Sequence, residues 1–384
     1  GFAMAVPDIE RTEMAALYER GRTLLASVDG VTVGTATAYS FELTVPGAVV
    51  PAAGVSEVAV APTHRRRGVL SALMRRQLAD VAAGREPIAA LWASESSIYG
   101  RFGYGAASDA GHLSIRHDRS AFRPDVRTGG DLRFVYGDEV EAAVAPVYEQ
   151  AAAGVPGFFA RDARWWAAVL CDTPPHRGSD SPLACVVHSG PGGDDGYVLF
   201  RRRHADDTNL VDGTVTVAEL VGVDTFATAS LWRFCFDLDL MVRTKAPFRM
   251  AADPLRLLLA QPRWLEALTN DGLYVRLVDI GAALEARSYV IEDDLVVSVA
   301  DGVLEANSGK WLLEARASGA RCTRTDRSAD LEVDVSDLGA SYLGRPVLAA
   351  LAGVGRVREL APRAASRADA VFSWPVVPWC PVEF

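Results

Sequence analysis

The chain has 384 residues, of which 49% are hydrophobic and 23% are charged, and its formal net charge is −10. This balance is typical of a folded protein rather than a disordered one. Because the length exceeds what one hydrophobic core usually organises, we expect three domains. The negative charge argues against nucleic acid as a partner, since it repels phosphate polymers. It fits either a solubilising acidic surface or a polycationic substrate.

The cysteines, histidines and apolar runs favour neither a disulfide framework, nor a metal site, nor a membrane span. The five cysteines are widely spaced without a CxxC motif, and the six histidines lack metal-ligand spacing. We therefore expect a reducing compartment and no metal. No apolar run approaches the roughly 18 residues that a spanning helix needs, and residues 1–11 lack the layout of a signal peptide. The sequence predicts a cytoplasmic protein with no membrane partner.

The first part of the chain alternates helix and strand patterns. Its opening, at 13–30, has a helical signal, and the next segment carries β-branched residues at every second position. A basic loop later leads into a helix with one apolar stripe, formed by Leu70, Leu73, Met74, Leu78 and Val81. The other predicted elements here are strands at 31–45, 55–62, 87–94 and 110–117 and a short helix at 97–102.

Two further pattern shifts predict the remaining domains, with boundaries after 125 and after 272. The middle part is predicted as a second α/β unit, with helices at 139–153 and 227–240, strands at 196–203 and 216–223, and polar, glycine-rich surface loops at 188–196 and 203–209. The last part is predicted as an α+β domain, with strands at 295–300, 309–315, 320–325 and 331–335 and a helical stretch at 344–357.

The most informative segment runs from Val58 to Ser71, where a strand delivers a basic loop to a helix N-terminus. Unpaired N–H groups and the positive end of the helix dipole stabilise a pyrophosphate there. Gly68 lets the backbone approach the ligand, and the arginines can add forked hydrogen bonds. An isolated arginine cluster could be only a solvated surface. Strand, Pro62, arginine loop and amphipathic helix together favour an anion site.

Residues 58–73, 91–95 and 98–105 resemble the cofactor site of the GCN5-related N-acetyltransferase (GNAT) superfamily. Within it they resemble the enhanced-intracellular-survival (Eis) aminoglycoside acetyltransferases. The resemblance continues through LYVRLVDIGAALEARSY, ARCTRTD, SYLG and the terminal Glu383-Phe384, and so spans nearly the whole chain.

This resemblance implies an α/β (α+β) fold of two GNAT-like mixed-sheet domains followed by a sterol-carrier-protein-like α+β domain. Residues 1–125 would hold the acetyl-CoA site, and 126–272 would form the second GNAT-like domain without a cofactor motif. Residues 273–384 would form the last domain, whose C-terminus reaches the active site. The resemblance also implies a homo-hexamer.

Acetyl-CoA is implied as the co-substrate. By the resemblance, Val58, Ala59 and Val60 pair backbone groups with its pantetheine arm, and Ser94 and Glu95 lie at the next strand end. The loop and first helical turn would hold the pyrophosphate through Arg65, Arg66, Arg67, Gly68, Val69, Leu70 and Ser71. The superfamily usually has a small residue where this chain has Leu70. Because the donors are backbone amides, we expect this difference to have little effect on pyrophosphate binding.

Acetyl transfer from a thioester to an amine needs a polarised carbonyl and a proton for the departing sulfur. An N–H of the strand around Val60 could stabilise the oxyanion. Tyr99 is the candidate general acid, because a phenol's pKa of about 10 lies close enough to that of a thiol. The sequence pattern by itself favours a packing aromatic at Tyr99; the resemblance favours catalysis instead. Tyr104, five residues on, is predicted to be structural.

The resemblance assigns the base to the main-chain carboxylate of Phe384, which would take the proton from the substrate ammonium. An α-carboxylate is a weak base, so it must be partly desolvated or act by steering the cation. The tail SWPVVPWCPVEF contains three prolines and several large aromatics, which argues for a fixed end. A terminus that merely packs on the last domain is the alternative.

Glu57 and Glu383 are predicted to contact the substrate, since carboxylates attract a cationic amine; a solvated surface charge is the open alternative. Glu57 replaces an aromatic that the family often has there. The predicted function is acetyl transfer from acetyl-CoA to amines of polycationic small molecules such as aminoglycosides, by direct attack in a ternary complex. Two alternatives stay open: a protein or peptide lysine N-acetyltransferase, and a non-enzymatic lipid- or sterol-binding protein.

Overall fold

The computed structural model describes residues 15–204 and 212–384. The strands are β1 (Thr23–Val28), β2 (Val31–Val45), β3 (Ala48–Val60), β4 (Ile88–Trp92), β5 (Gly105–Ala106), β6 (Asp109–Arg116), β7 (Asp131–Val135), β8 (Ala184–Gly190), β9 (Gly193–Arg203), β10 (Gly213–Gly222), β11 (Met241–Met250), β12 (Glu266–Asp271), β13 (Leu273–Leu277), β14 (Asp293–Ala300), β15 (Gly309–Arg316), β16 (Gly319–Arg324), β17 (Leu331–Asp334) and β18 (Arg358–Glu359).

Helices alternate with these strands. They are α1 (Val69–Ala82), α2 (Ser96–Tyr99), α3 (Glu139–Ala152), α4 (Ala163–Val169), α5 (Pro174–Arg177), α6 (Thr225–Phe236), α7 (Leu255–Leu258), α8 (Ile280–Glu285), α9 (Val335–Ser341), α10 (Leu348–Gly353) and α11 (Ala364–Phe372). Within the described ranges, none of these helices is long and apolar enough to cross a membrane.

Three mixed sheets organise the described chain. The first has six strands in the order β1-β2-β3-β4-β13-β5, the second has seven in the order β12-β6-β11-β10-β9-β8-β7, and the third has five in the order β16-β15-β14-β17-β18. Each sheet contains one parallel pair among antiparallel ones: β3 with β4, β10 with β11, and β14 with β17. The predicted mixed α/β class is confirmed.

The chain crosses between the first two sheets twice. Strand β6 leaves the first sheet and pairs with β11 and β12 in the second. Strand β13 then returns to the first sheet, where it lies between β4 and β5. The boundaries after 125 and 272 stay a prediction, because strands close to each boundary belong to a sheet on its other side.

Two predictions were wrong in the segments that form hairpins. Residues 23–28 are strand β1, not helix, because Asp29 and Gly30 form a two-residue turn with φ of 50° and 79° that folds β1 back onto β2. The segment 188–196 is not a loop, since Ser189 pairs with Asp194 across the β8–β9 hairpin. The predicted loop at 203–209 lies mostly outside the described residues, as do residues 13–14 of the predicted first helix.

The first sheet has a face toward α1, which we call the helix face, and an opposite face, which we call the tail face. On the helix face Ala53, Val55 and Leu91 pack with Met74 and Leu78 of α1. The tail face carries larger rings and packs against the last domain in one continuous core, which includes Tyr39, Phe41, Leu43, Phe159, Leu295, Val297, Leu338 and Phe372. Both faces of the sheet are therefore covered.

Two glycines let α9 of the last domain lie directly on the first sheet. A methyl group on Gly105 would lie 1.8 Å from the backbone oxygen of Ser336, and one on Gly339 would lie 2.4 Å from that of Val275. The guanidinium of Arg276 in β13 also donates to Asp301 at 2.6 Å, and both side chains are fully buried. The backbone of α9 therefore packs directly on the backbones of β5 and β13.

We expect Gly105→Ala to lower the free energy of unfolding by roughly 2 kcal/mol, because the added methyl forces α9 off the sheet. Thermal and urea denaturation measure this change. Gly302→Ala is the matched control, since its methyl group meets no atom within 4 Å. Equal stability of the two variants would show that α9 does not depend on this close contact.

Candidate active site

Strands β3 and β4 pair over only three residues and then diverge. The parallel ladder covers Ala52 to Gly54, whereas β3 continues to Val60 with only β2 beside it. We call the opening beyond Gly54 the β3–β4 gap. It leaves one edge of β3 without a partner strand.

Backbone donors of β3 face this gap. The N–H of Ala61 donates to the Val33 oxygen at 2.8 Å, and Val60 lies opposite Gly34. Because N–H groups alternate between the two edges of a strand, the Val60 N–H points away from β2 and into the gap. An extended ligand can therefore bind along this edge as a substitute for a strand.

A β-bulge at Glu57 accompanies the divergence. Thr35 pairs with Ala59 but Thr37 pairs with Ser56, so β3 contains one extra residue here. Glu57 has a φ of 52°, a conformation that is uncommon outside glycine. A bulge bends its strand and increases the local twist, which carries the end of β3 away from β4.

The loop after β3 presents donors to an anion. Arg66 and Gly68 have φ of 61° and 83°, and Gly68 is the N-cap of the 14-residue helix α1, which has no side-chain capping hydrogen bond from it. The first N–H groups of α1 thus stay available, at the positive end of the helix dipole. Arg65 and Arg66 make no ion pair with any residue that the structure describes, so their guanidinium groups can meet phosphate oxygens.

A cavity of about 450 Å³ joins the gap to this loop. Its lining consists of Val58, Ala59, Val60, His64, Arg65, Arg66, Gly68, Val69, Leu70, Ser71, Ser94, Glu95, Ile98, Tyr99 and Arg101. The structure therefore brings together every predicted cofactor residue except Arg67, which is exposed outside the lining. His64, Ile98 and Arg101 were missed. The basic character of the loop pointed to His64, whereas only the position of α2 reveals Arg101.

Tyr99 lies in this cavity at the end of α2 and is only 6% exposed. Burial raises the pKa of its phenol, and the negative charge of Glu95 raises it further. The phenol therefore keeps its proton at neutral pH, as a general acid must. Tyr104 packs edge-on against Tyr99 at 6.1 Å but is not part of the lining, and its buried hydroxyl has no hydrogen-bond partner among the residues that the structure describes.

The C-terminus lies on the tail face beside the same gap. The Phe384 ring packs at 4.8 Å from Phe41 and at 5.7 Å from Phe159. Phe41 covers Gly54, where a methyl group would lie 2.0 Å from the ring. Since Gly54 is the last residue of β3 that pairs with β4, Phe384 ends next to the opening of the gap. Tyr99 lies on the opposite face, so the sheet separates the two predicted catalytic groups.

The predicted acidic residues lie near the tail face. Glu57 is half-buried in the bulge, close enough to Tyr18 and Tyr39 that its charge contributes to raising the pKa of both phenols, after burial. Glu383 is exposed in the tail beside Phe384. Within the described chain, neither carboxylate forms an ion pair, so both are available to a cation.

Comparison with known proteins identifies all three parts of the chain. An acetyltransferase (GNAT) domain model matches residues 1–107, a second GNAT domain model matches 157–277, and a sterol carrier protein domain model matches 280–381. These matches, the diverging strands and the cavity define an N-acetyltransferase of the GNAT superfamily with two GNAT domains. Acetyl-CoA is the co-substrate that such domains imply.

Full-length relatives narrow this class. An uncharacterized N-acetyltransferase of Streptomyces avermitilis is 42% identical over 98% of this chain and 92% of the relative. N-acetyltransferase Eis of Mycobacterium tuberculosis is 37% identical over 89% of this chain and 83% of the relative. The crystal structure of Eis1 from Mycobacterium abscessus is 34% identical, with a TM-score of 0.85 over 99% of this chain and 94% of that one. The chain belongs to the Eis family of N-acetyltransferases.

The cavity fits acetyl-CoA in shape and charge. Its gap side offers strand-edge donors to an amide-containing arm, and its loop side offers unpaired arginines and an uncapped helix start to phosphates. A methyl group added to Gly68 would meet nothing within 4 Å, so the space in front of the loop is open. Among the described residues no group of three His, Cys, Asp or Glu side chains converges as a metal site would require.

We expect Gly68→Ala to raise the KM for acetyl-CoA about tenfold, because a φ of 83° costs an L residue roughly 1–2 kcal/mol and the loop relaxes away from the phosphates. Steady-state kinetics measure this KM. Gly355→Ala is the control, since Gly355 has a φ of 80° and equally open surroundings in the last domain. A KM that rises equally in both variants would contradict the assignment of the phosphate loop.

We expect Glu95→Gln to move the alkaline limb of kcat to lower pH. Loss of the negative charge lowers the pKa of Tyr99 toward its ordinary value, while the effect of burial stays. A phenol that must be protonated then loses its proton, and its activity, at a lower pH. The pH dependence of kcat at saturating acetyl-CoA tests this, with Glu139→Gln, an exposed residue of α3, as the control. If the alkaline limb of kcat did not move, protonation of Tyr99 would not control the rate.

Proposed function

We propose that the chain transfers acetyl from acetyl-CoA to amines of polycationic small molecules such as aminoglycosides, by direct attack in a ternary complex. Tyr99 acts as the general acid and the Phe384 α-carboxylate as the base. One observation carries the proposal: the β3–β4 gap has the cavity with Tyr99 on its helix face and the C-terminus on its tail face. Donor and acceptor can approach the gap from opposite sides.

The residues around the cavity hold the donor in place. Bound acetyl-CoA supplies an activated acyl thioester. The loop at Arg65 and Arg66 and the start of α1 bind the phosphates, and the edge of β3 binds the arm. The Val60 N–H, which points into the gap, donates to the oxygen that gains negative charge during attack. Such fixed donors act without reorganisation, which is what makes them effective.

Two groups move the protons. The Tyr99 hydroxyl gives its proton to the departing sulfur, and its raised pKa keeps that proton available. The Phe384 carboxylate takes the proton of the substrate ammonium. Among the described residues it has no hydrogen-bond or ion-pair partner, so no cation competes for it. The ring contacts with Phe41 and Phe159 hold the Phe384 residue, and with it this carboxylate, beside the gap.

Acidic and aromatic groups on the tail face favour a polycation. Glu57, Glu383 and the Phe384 carboxylate contribute three negative charges without ion-pair partners among the described residues. Tyr18 is 41% exposed and lies 6.5 Å from the Tyr39 ring. Aromatic faces attract cations, and several separated carboxylates suit a substrate that carries several ammonium groups. Glu57 and Glu383 are the proposed substrate contacts.

The remaining features follow from family membership and stay proposals. We propose a homo-hexamer with an N-terminal catalytic domain, a second GNAT domain without a cofactor, and a C-terminal domain that supplies the base. The molar mass measured by light scattering tests the hexamer directly.

Thiol release from acetyl-CoA across an amine panel tests the function. We expect turnover with aminoglycosides, and we expect both Tyr99→Phe and a chain without Phe384 to lose about 100-fold or more in kcat, since general acid–base groups contribute on the order of 10²–10⁴. Tyr104→Phe is the matched control. It removes a hydroxyl that has no hydrogen-bond partner in the described part of the chain, so activity should stay at the wild-type level.

The panel also separates the competing acceptors. Faster turnover of lysine peptides than of aminoglycosides would make the chain a peptide acetyltransferase. Undiminished turnover in both Tyr99→Phe and the shortened chain would refute the two assigned roles. Absence of thiol release with every amine, together with lipid binding, would favour the lipid-binding alternative.

A further inference from the structure

Trp379 joins the C-terminal tail to the second domain through hydrogen bonds and ring contacts. Its indole N–H donates to the Phe248 oxygen at 2.7 Å, and its backbone N–H donates to the Pro156 oxygen at 2.8 Å. The indole ring packs edge-on against Phe158 at 5.2 Å, and the guanidinium carbon of Arg249 lies 4.7 Å from it. Trp379 is therefore held by two hydrogen bonds and by rings and charge around its indole.

The acceptor of the indole hydrogen bond lies in an unusual backbone conformation. Phe248 has a φ of 54°, and the register of β11 against β6 shifts between Ala246 and Arg249. A bulky side chain rarely adopts such a φ, and it persists only where its surroundings impose it. Because of the β-bulge, the Phe248 carbonyl accepts the hydrogen bond of the Trp379 indole instead of one within the sheet.

Phe248 also connects the tail to the strand that borders the cofactor cavity. Its ring lies edge-on to Trp92 at 5.6 Å and to His112 at 5.3 Å. Trp92 is the last residue of β4, two positions before Ser94 of the cavity lining. One residue of the second domain thus contacts both the tail anchor and the end of β4.

Beyond Trp379 the tail is held mainly by apolar packing, since Cys380 belongs to the core against which Phe384 also packs. Among the described residues, the Cys380 thiol donates to the Val382 oxygen at 3.2 Å and its sulfur is also approached by the Trp92 indole, but no backbone hydrogen bond joins residues 380–384 to the rest of the chain. The backbone of Trp379 is also pressed against Gly157, where a methyl group would lie 2.8 Å from the Trp379 oxygen. The place of Phe384 therefore depends on this packing, on the ring contacts with Phe41 and Phe159, and on Trp379, the last described tail residue with hydrogen bonds to the second domain.

We propose that Trp379 is a positioning residue for catalysis. Its hydrogen bond to the bulged carbonyl of Phe248 fixes where the Phe384 carboxylate lies relative to the β3–β4 gap. This proposal rests on the proposed role of Phe384 as the base. Trp379 itself does not touch the reacting atoms.

Trp379→Phe tests the hydrogen bond, because it keeps a ring between Phe158 and Arg249 and removes the N–H. We expect kcat/KM for the amine to fall at least tenfold while the KM for acetyl-CoA changes less than twofold. Trp374→Phe is the matched control in the same tail, since its indole N–H has no hydrogen-bond partner among the described residues. It should keep wild-type kinetics.

The pH profile distinguishes positioning from packing. With the base displaced, only amine that is already neutral reacts, so the rate of Trp379→Phe should rise about tenfold per pH unit below the amine pKa, as in the chain without Phe384. Combining Trp379→Phe with removal of Phe384 should cost no more than the removal alone, because both act on one group. Gly157→Ala, which presses on the Trp379 backbone, is a second variant with the same expected profile.

Three results would overturn the proposal. Additive losses in the combined variant would give Trp379 a structural role only. Wild-type kinetics in Trp379→Phe, with an inactive shortened chain, would reject the anchor but leave the proposed function intact. Full activity of the shortened chain would remove the role of Phe384 and the Trp379 proposal with it.

Discussion

The divergence of β3 from β4 beyond Gly54 is the constraint on which the site depends. The bulge at Glu57 adds a residue to β3 and bends it away, so a parallel ladder of only three residues is followed by an open edge. That edge supplies backbone donors, and the opening makes one sheet accessible from both faces. A regular sheet at this place would bury the same backbone groups in strand pairing and would leave no passage.

The domain arrangement brings charges of opposite sign to the two sides of this opening. Arg65, Arg66 and Arg101 line the helix-face cavity and have no carboxylate partner among the described residues, whereas Glu57, Glu383 and the C-terminal carboxylate lie toward the tail face. The two sides of one sheet thereby differ in charge, as the proposed phosphate-bearing donor and cationic acceptor require. Elsewhere, the buried pair of Arg276 and Asp301 joins β13 of the first sheet to the last domain.

The three domains are joined through the tail face rather than linked as separate units. Strands β6 and β13 exchange between the first two sheets, and Phe159 of the second domain packs with Phe41 of the first and with Phe384 of the last. Because one continuous core includes all three parts, the C-terminus has a fixed environment despite its few hydrogen bonds. This coupling explains how a residue distant in sequence reaches the catalytic domain.

Local chemistry in the sequence determined the strand at 31–45, the amphipathic helix α1 and the basic loop before it, since each depends on periodicity or on glycine and arginine at fixed positions. It also gave all but three of the residues that line the cavity. The turn at Asp29-Gly30 was readable too, although its hairpin was missed. Only the tertiary structure decided the exchange of β6 and β13, the place of Phe384 at the gap, and the strained Phe248 that holds Trp379. These depend on contacts between distant residues, which no local pattern encodes.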